Sequence, residues 1–269
     1  MNEMSKTNKF ILWCVLVAVI SFWLWASVQI WLRGSLFEIQ NWTNMTVLAF
    51  LFTMELILIS IGFMLFGDRR SGLYFGLITG ATYLTLFIIN NMNLAGVFAL
   101  VMIFQFAQEC VRKESSERYK VNSRISIRKS STLLVIGFFI LISFAAYQSP
   151  AIESFKNIEQ IPSTGIVFIK TIVSQILGGH LSGVEPGEKE AVFNQVTQEV
   201  LKEANTILEP YFEYVPPALA FGLFLVLLGI GWIFVWLSVG LGVAVFWILR
   251  KTRFVKIELC DVKSEKIVV

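Results

Sequence analysis

Apolar runs follow one another along the first 148 residues, separated by polar breaks, and a last one opens at residue 216. The first five cover 10–32, 46–66, 73–90, 92–108 and 131–148. The last carries 34 residues without a charge before Arg250 and Lys251. Crossing roughly 30 Å of hydrocarbon takes about 20 helical residues. Helices are the form in which such runs satisfy their own backbone polar groups in lipid. The pattern therefore predicts an all-α integral membrane protein with six transmembrane helices. The first run follows Lys6 and Lys9, as a secretory signal would. Its 23 apolar residues exceed an h-region of about 7 to 15 residues, and no small-x-small site follows, so it reads as an uncleaved span.

Two further patterns differ in period. Between 149 and 215, Ile166, Ile169, Val173 and Ile176 recur at helical spacing and meet Gly178-Gly179. After Pro186-Gly187, Phe193, Val196, Val200, Ala204, Ile207 and Tyr211 share one face, with Glu199, Lys202, Glu203 and Glu209 off it. These predict an amphipathic helical hairpin over 149–215, too small to be stable alone. By contrast, Tyr119, Val121, Ser123, Ile125 and Ile127 alternate with polar residues, and so do Val255, Ile257 and Leu259. Period two predicts a small cytoplasmic β-strand pair, or else two disordered juxtamembrane tails, the first meeting anionic lipid through its Lys and Arg.

Charge fixes the expected orientation. The 109–131 loop carries Arg112, Lys113, Arg118, Lys120, Arg124, Arg128 and Lys129, whereas 149–215 holds nine Glu and four Lys. The positive-inside rule then places both termini, the Arg69/Arg70 turn and the 109–131 loop in the cytoplasm, with the acidic hairpin outside. It also decides that 216–250 crosses once, since two crossings would leave Arg250, Lys251, Arg253 and Lys256 outside. A helix of 34 residues is about 50 Å long, more than a bilayer needs. Placing Trp247 at the inner interface puts Trp232 and Trp236 at the outer one, with Ala218–Leu228 projecting beyond it. The 251–269 tail returns to the cytoplasm. A composition of 56% hydrophobic residues and a mean hydropathy of +0.70 agrees with a multi-pass protein.

Small residues on the last span form two faces: Ala218, Gly222, Gly229, Gly240 and Ala244 on one, Gly231, Ser238 and Gly242 nearly opposite. Both invite close approach of another helix. The only carboxylate inside a span is Glu55, near the midpoint of the second. A buried acid is costly in lipid, so it marks a candidate proton or cation site, or else a bond between helices. Ser21, Thr79, Thr82 and Tyr83 lie at similar depth, with Gln105 and Gln108 nearer the inner side.

Other chemistry finds little footing. His180 stands alone in GGHLSG and reads as a solvated side chain; Cys14, Cys110 and Cys260 fit no zinc or redox spacing. No phosphate-binding, dinucleotide or kinase signature occurs, so neither an enzyme, a cofactor, a metal nor a nucleic-acid partner is expected. The N-x-T matches at Asn41 and Asn44 read as chance.

LEPYFEYVPPALAFGLFL, around Pro210, and the ending FVKIELCDVKSEKIVV resemble the last span and tail of uncharacterised multi-pass membrane proteins of uncultivated, small-genome prokaryotes. The resemblance covers about the final quarter of the chain. It implies a prokaryotic plasma membrane and no site residues. The expected role is that of a non-enzymatic membrane component whose hairpin and last helix bind a partner or second copy; the rival is a proton- or cation-coupled carrier centred on Glu55.

Overall fold

The computed structural model describes residues 6–33, 42–68, 70–116, 122–153, 186–208, 214–252 and 254–255. All regular structure among them is helical. In chain order the helices are α1 (Lys6–Arg33), α2 (Trp42–Leu65), α3 (Ser71–Leu86), α4 (Asn91–Ser116), α5 (Ser123–Tyr147), the short α6 (Pro150–Glu153), α7 (Pro186–Leu208) and α8 (Val215–Lys251). Five of them, α1, α2, α4, α5 and α8, are long and apolar enough to cross a membrane. At 16 residues, α3 is about 24 Å long and falls short of the hydrocarbon thickness. It stops at Leu86 rather than at the predicted residue 90. The Asn90 side chain accepts from the Asn93 backbone N–H (2.8 Å) and so caps α4.

The chain divides into two compact units, residues 147–220 and the rest. In the larger, consecutive helices alternate in direction. Phe10, at the start of α1, packs edge-on against Phe66, just past α2, and Tyr74, at the start of α3. Gln108 of α4 donates to the carbonyl of Asp68 (3.3 Å). Lys129 of α5 pairs with Glu114 of α4. Lys9 donates to the Phe254 carbonyl just past α8 (3.1 Å). The starts of α1, α3 and α5 and the ends of α2, α4 and α8 therefore share one end of this unit.

Packing of α3 on α4 rests on glycine. Gly72, Gly76 and Gly80 form one ridge four residues apart, facing Gln105, Val101 and Val97 of α4. A methyl at Gly72 would lie 2.9 Å from the Gln105 Cα and the Phe104 carbonyl, and one at Gly76 3.0 Å from the Val101 Cα. α1 is tied to its neighbours differently, by side chains that donate to backbone carbonyls: Trp13 to Leu58 (3.0 Å), Trp25 to Thr79 (3.2 Å) and Gln29 to Leu86 (2.7 Å).

Several expectations need correction. The strand predicted through Ser123–Arg128 is the first turn and a half of α5. Asn122 accepts from the Ile125 N–H (3.3 Å), and Ile127, Ser130 and Leu134 continue inward at helical spacing. The rest of the predicted strand pair, apart from Val255, lies outside the described residues. The 109–131 loop is mostly helix, because α4 runs on to Ser116 and α5 starts at Ser123. Of the hairpin, the second helix is α7, beginning at Pro186 as its stop-and-start signals indicate; the first helix, with His180, lies outside the described residues, as does Cys260. Within α7 the covered positions include Thr197, and Ile207 is exposed, so the face is rotated from the one indicated by the apolar residues.

α8 is one continuous helix of 37 residues, about 55 Å. Its depth differs from the prediction. Trp236 packs under the Arg128 guanidinium, 5.7 Å from ring centroid to cation, so it belongs with the basic start of α5 and not at the opposite interface. Leu227 and Leu228, expected in the projecting stretch, line clefts shared with the rest of the larger unit.

Candidate functional site

Glu55 is fully buried where α1, α2 and α3 meet. From α1, Ser21 Oγ donates to Glu55 Oε1. From α3, the Thr79 hydroxyl has one proton and two acceptors within reach, Ser21 Oγ at 3.2 Å and Glu55 Oε1 at 3.5 Å. Ser21 and Thr79 are likewise completely buried. The other carboxyl oxygen, Oε2, has no hydrogen-bond partner among the described residues. Such an orphan is rare in protein interiors and costs free energy unless something else meets it.

Thr82 and Tyr83 stay out of this cluster. Thr82 turns its hydroxyl back onto its own helix, donating to the carbonyls of Ile78 (3.1 Å) and Thr79 (2.9 Å). Threonine inside a helix commonly does this, because the i−4 carbonyl is the nearest acceptor. Tyr83 sits one turn beyond Thr79 and donates to Asn93 Oδ1 at the start of α4 (2.7 Å). Gln108 reaches the turn after α2, far along that helix from Glu55.

Two residues that the sequence pattern does not single out complete the surroundings. Trp25 lies one turn from Ser21 on the same face of α1 and holds the Thr79 carbonyl. Its ring stands edge-on to Tyr83 (4.9 Å between centroids) and tilted against Phe138 (5.7 Å). Ser131 of α5 shares a hydrogen bond with Ser60 of α2 (3.1 Å), a second buried polar contact. The i+4 spacing of Trp25 from Ser21 was a usable signal. Ser131 carried none, since it sits in a run of serines beside basic residues.

The chain matches no family model, no curated protein and no solved structure. Function therefore rests on geometry alone. Chemically, the cluster offers one carboxyl and two hydroxyls, and among the described residues no three His, Cys, Asp or Glu side chains come together. It can bond three helices together, or exchange one proton or cation. A separate cleft of about 240 Å³, lined by Leu24, Phe52, Phe139, Phe234 and other apolar side chains, has no group among the described residues that would orient a polar ligand.

The two glycine faces of α8 have different fates. Gly231 and Gly242 are the docked ones: a methyl at Gly231 would meet Val135 at 2.9 Å and Phe139 at 3.0 Å, and one at Gly242 would meet Ile127 at 3.1 Å. Ser238 between them is buried. Gly222, Gly229 and Gly240 face open space, with no described residue within 4 Å of an added methyl. Ala218 and Ala244, grouped with them, are exposed.

Proposed function

We propose that the chain is a non-enzymatic, six-span membrane component that acts by pairing α8 with a helix of a second copy or of a membrane-protein partner. The observation that carries this reading is the open glycine face at Gly222, Gly229 and Gly240. Exposed apolar side chains on a membrane helix mean only that lipid chains lie against them. Glycines with nothing over them leave a groove that another backbone fills, which is how transmembrane helices gain close contact. Alternating helix directions support six crossings, with α3 as a short one. Lys9, Arg70, Arg112 and Lys251 then lie on the cytoplasmic side, and the resemblance of the C-terminal quarter suggests a prokaryotic plasma membrane.

Light scattering on the full chain in mild detergent is expected to give a discrete assembly. Gly229→Leu with Gly240→Leu should reduce it to a monomer with unchanged helix content. A monomer before substitution, or an assembly indifferent to it, would contradict the reading.

A second reading is favoured by the orphan oxygen of Glu55. In a proton- or cation-coupled carrier, Oε2 is where the transported charge would be met. Glu55→Gln in reconstituted vesicles should then abolish proton or cation flux, and unchanged flux would remove this alternative.

A further inference from the structure

We propose that the groove between α5 and α8 beside Arg128 binds one anionic phospholipid, with the headgroup phosphate on the guanidinium and an acyl chain against α8. The groove encloses about 280 Å³ and changes character along its length. At one end stand Arg128 and Thr132; the other is bounded by Val135, Ile136 and Leu228, with Trp232 and Trp236 along the α8 wall. Eight residues of α5 separate Arg128 from Ile136, about 12 Å along the helix. A cation followed by an apolar slot of that length complements a phosphate with an attached chain, whereas a small anion would use only the first part.

The cation is held ready. Its neighbour Lys129 is paired with Glu114, but Arg128 meets no carboxylate among the described residues and lies instead over the Trp236 ring. A guanidinium over an aromatic ring can still turn its N–H edges to two phosphate oxygens. Arg124, one turn earlier and also exposed, adds a second positive charge on the same face. Thr132 contributes no proton, because its hydroxyl donates to the Arg128 carbonyl (2.8 Å). Gly231 brings α5 and α8 close at the floor of the groove, so the two helices form its walls without a bulky residue blocking it. Basic grooves between transmembrane helices near their ends are recurrent binding places for anionic lipid headgroups.

The test is native mass spectrometry of the full chain in mild detergent, titrated separately with dioleoyl phosphatidylglycerol, with the phosphatidylcholine of the same chains, and with glycerol 3-phosphate. The first adduct of the anionic lipid is expected at a concentration roughly fivefold or more below that of the zwitterionic one, as one nearby cation provides. Arg128→Gln should erase that preference, Arg128→Lys should keep part of it, and Ile136→Trp should weaken both lipids by filling the apolar slot. Thermal unfolding of each variant checks that the bundle persists; Arg128 is exposed, and its replacement should leave the melting temperature in place. Equal binding of the two lipids, or a preference that survives Arg128→Gln, overturns the proposal. So does glycerol 3-phosphate binding as tightly as the lipid, which would make the site one for a small anion.

Discussion

Gly72→Ala combined with Gly76→Ala should lower the melting temperature of the detergent-solubilised chain well below that of the Gly229→Leu, Gly240→Leu variant, although the latter adds far more volume. The difference lies in what the new atoms meet. At Gly72 they meet the backbone of α4, the Gln105 Cα and the Phe104 carbonyl at 2.9 Å; at Gly76 they meet the Val101 Cα at 3.0 Å. Backbone cannot rotate aside, so α3 must move off α4. Helices in lipid have no hydrophobic drive toward one another, and the dispersion attraction that such a shift weakens is most of what holds them together. Overpacking costs about 1 to 3 kcal/mol per site, and the two neighbouring sites should together cost about 2 to 5 kcal/mol. Gly80→Ala should be milder. The atom in its way is Val97 Cγ1, the end of a side chain with another rotamer to try. At Gly229 and Gly240 there is open space, so those changes should act on assembly and leave the fold alone. Equal melting temperatures for both double variants would show that the α3–α4 packing is not glycine-limited.

This ridge shows what the sequence hid. In soluble proteins the apolar period reveals which face is covered, but α2 and α8 are apolar all round, so only their length spoke. Run length indicated five of the spans, and the charges flanking 216–250 indicated that α8 passes once. Small residues carried the packing information, and they stand out on α8, where glycines are many, more than in SGLYFGLITG of α3, where three at four-residue spacing make the tightest approach. On α8 both faces were visible by angle, yet nothing in the residues said which would dock. The depth of Ser21, Glu55 and Thr79 could be counted along their helices, and those three meet. Thr82 could not be placed by depth, because its hydroxyl chose its own backbone. The strand expected through Ile125 and Ile127 failed because period two over a few residues is weak beside an Asn122 cap and the inward series Ile127, Ser130 and Leu134. Trp236, expected in an outer aromatic belt, stands only 11 residues from Trp247, about 16 Å of helix, and meets the Arg128 cation of α5 instead.

The second large effect should separate the two roles open to Glu55. Glu55→Leu is expected to unfold within about 1 kcal/mol of the unsubstituted chain, since interhelical hydrogen bonds in membranes are individually worth about that much. Ser21 and Thr79, already 3.2 Å apart, would remain bonded to each other, and Trp25 would still hold the Thr79 carbonyl. The orphan Oε2 would vanish with the carboxyl, offsetting part of the loss. Glu55→Lys, at the same fully buried position, should instead cost about 3 to 5 kcal/mol, the penalty of an uncompensated charge in the interior. No second carboxylate is present in any predicted span to receive it. Thermal unfolding of both variants in one detergent gives the comparison. A sealed, structural Glu55 yields a tolerated leucine and a ruinous lysine. A lysine tolerated as well as leucine would mean that water reaches this depth between α1, α2 and α3, and a hydrated carboxyl in mid-membrane is what a proton or cation pathway requires.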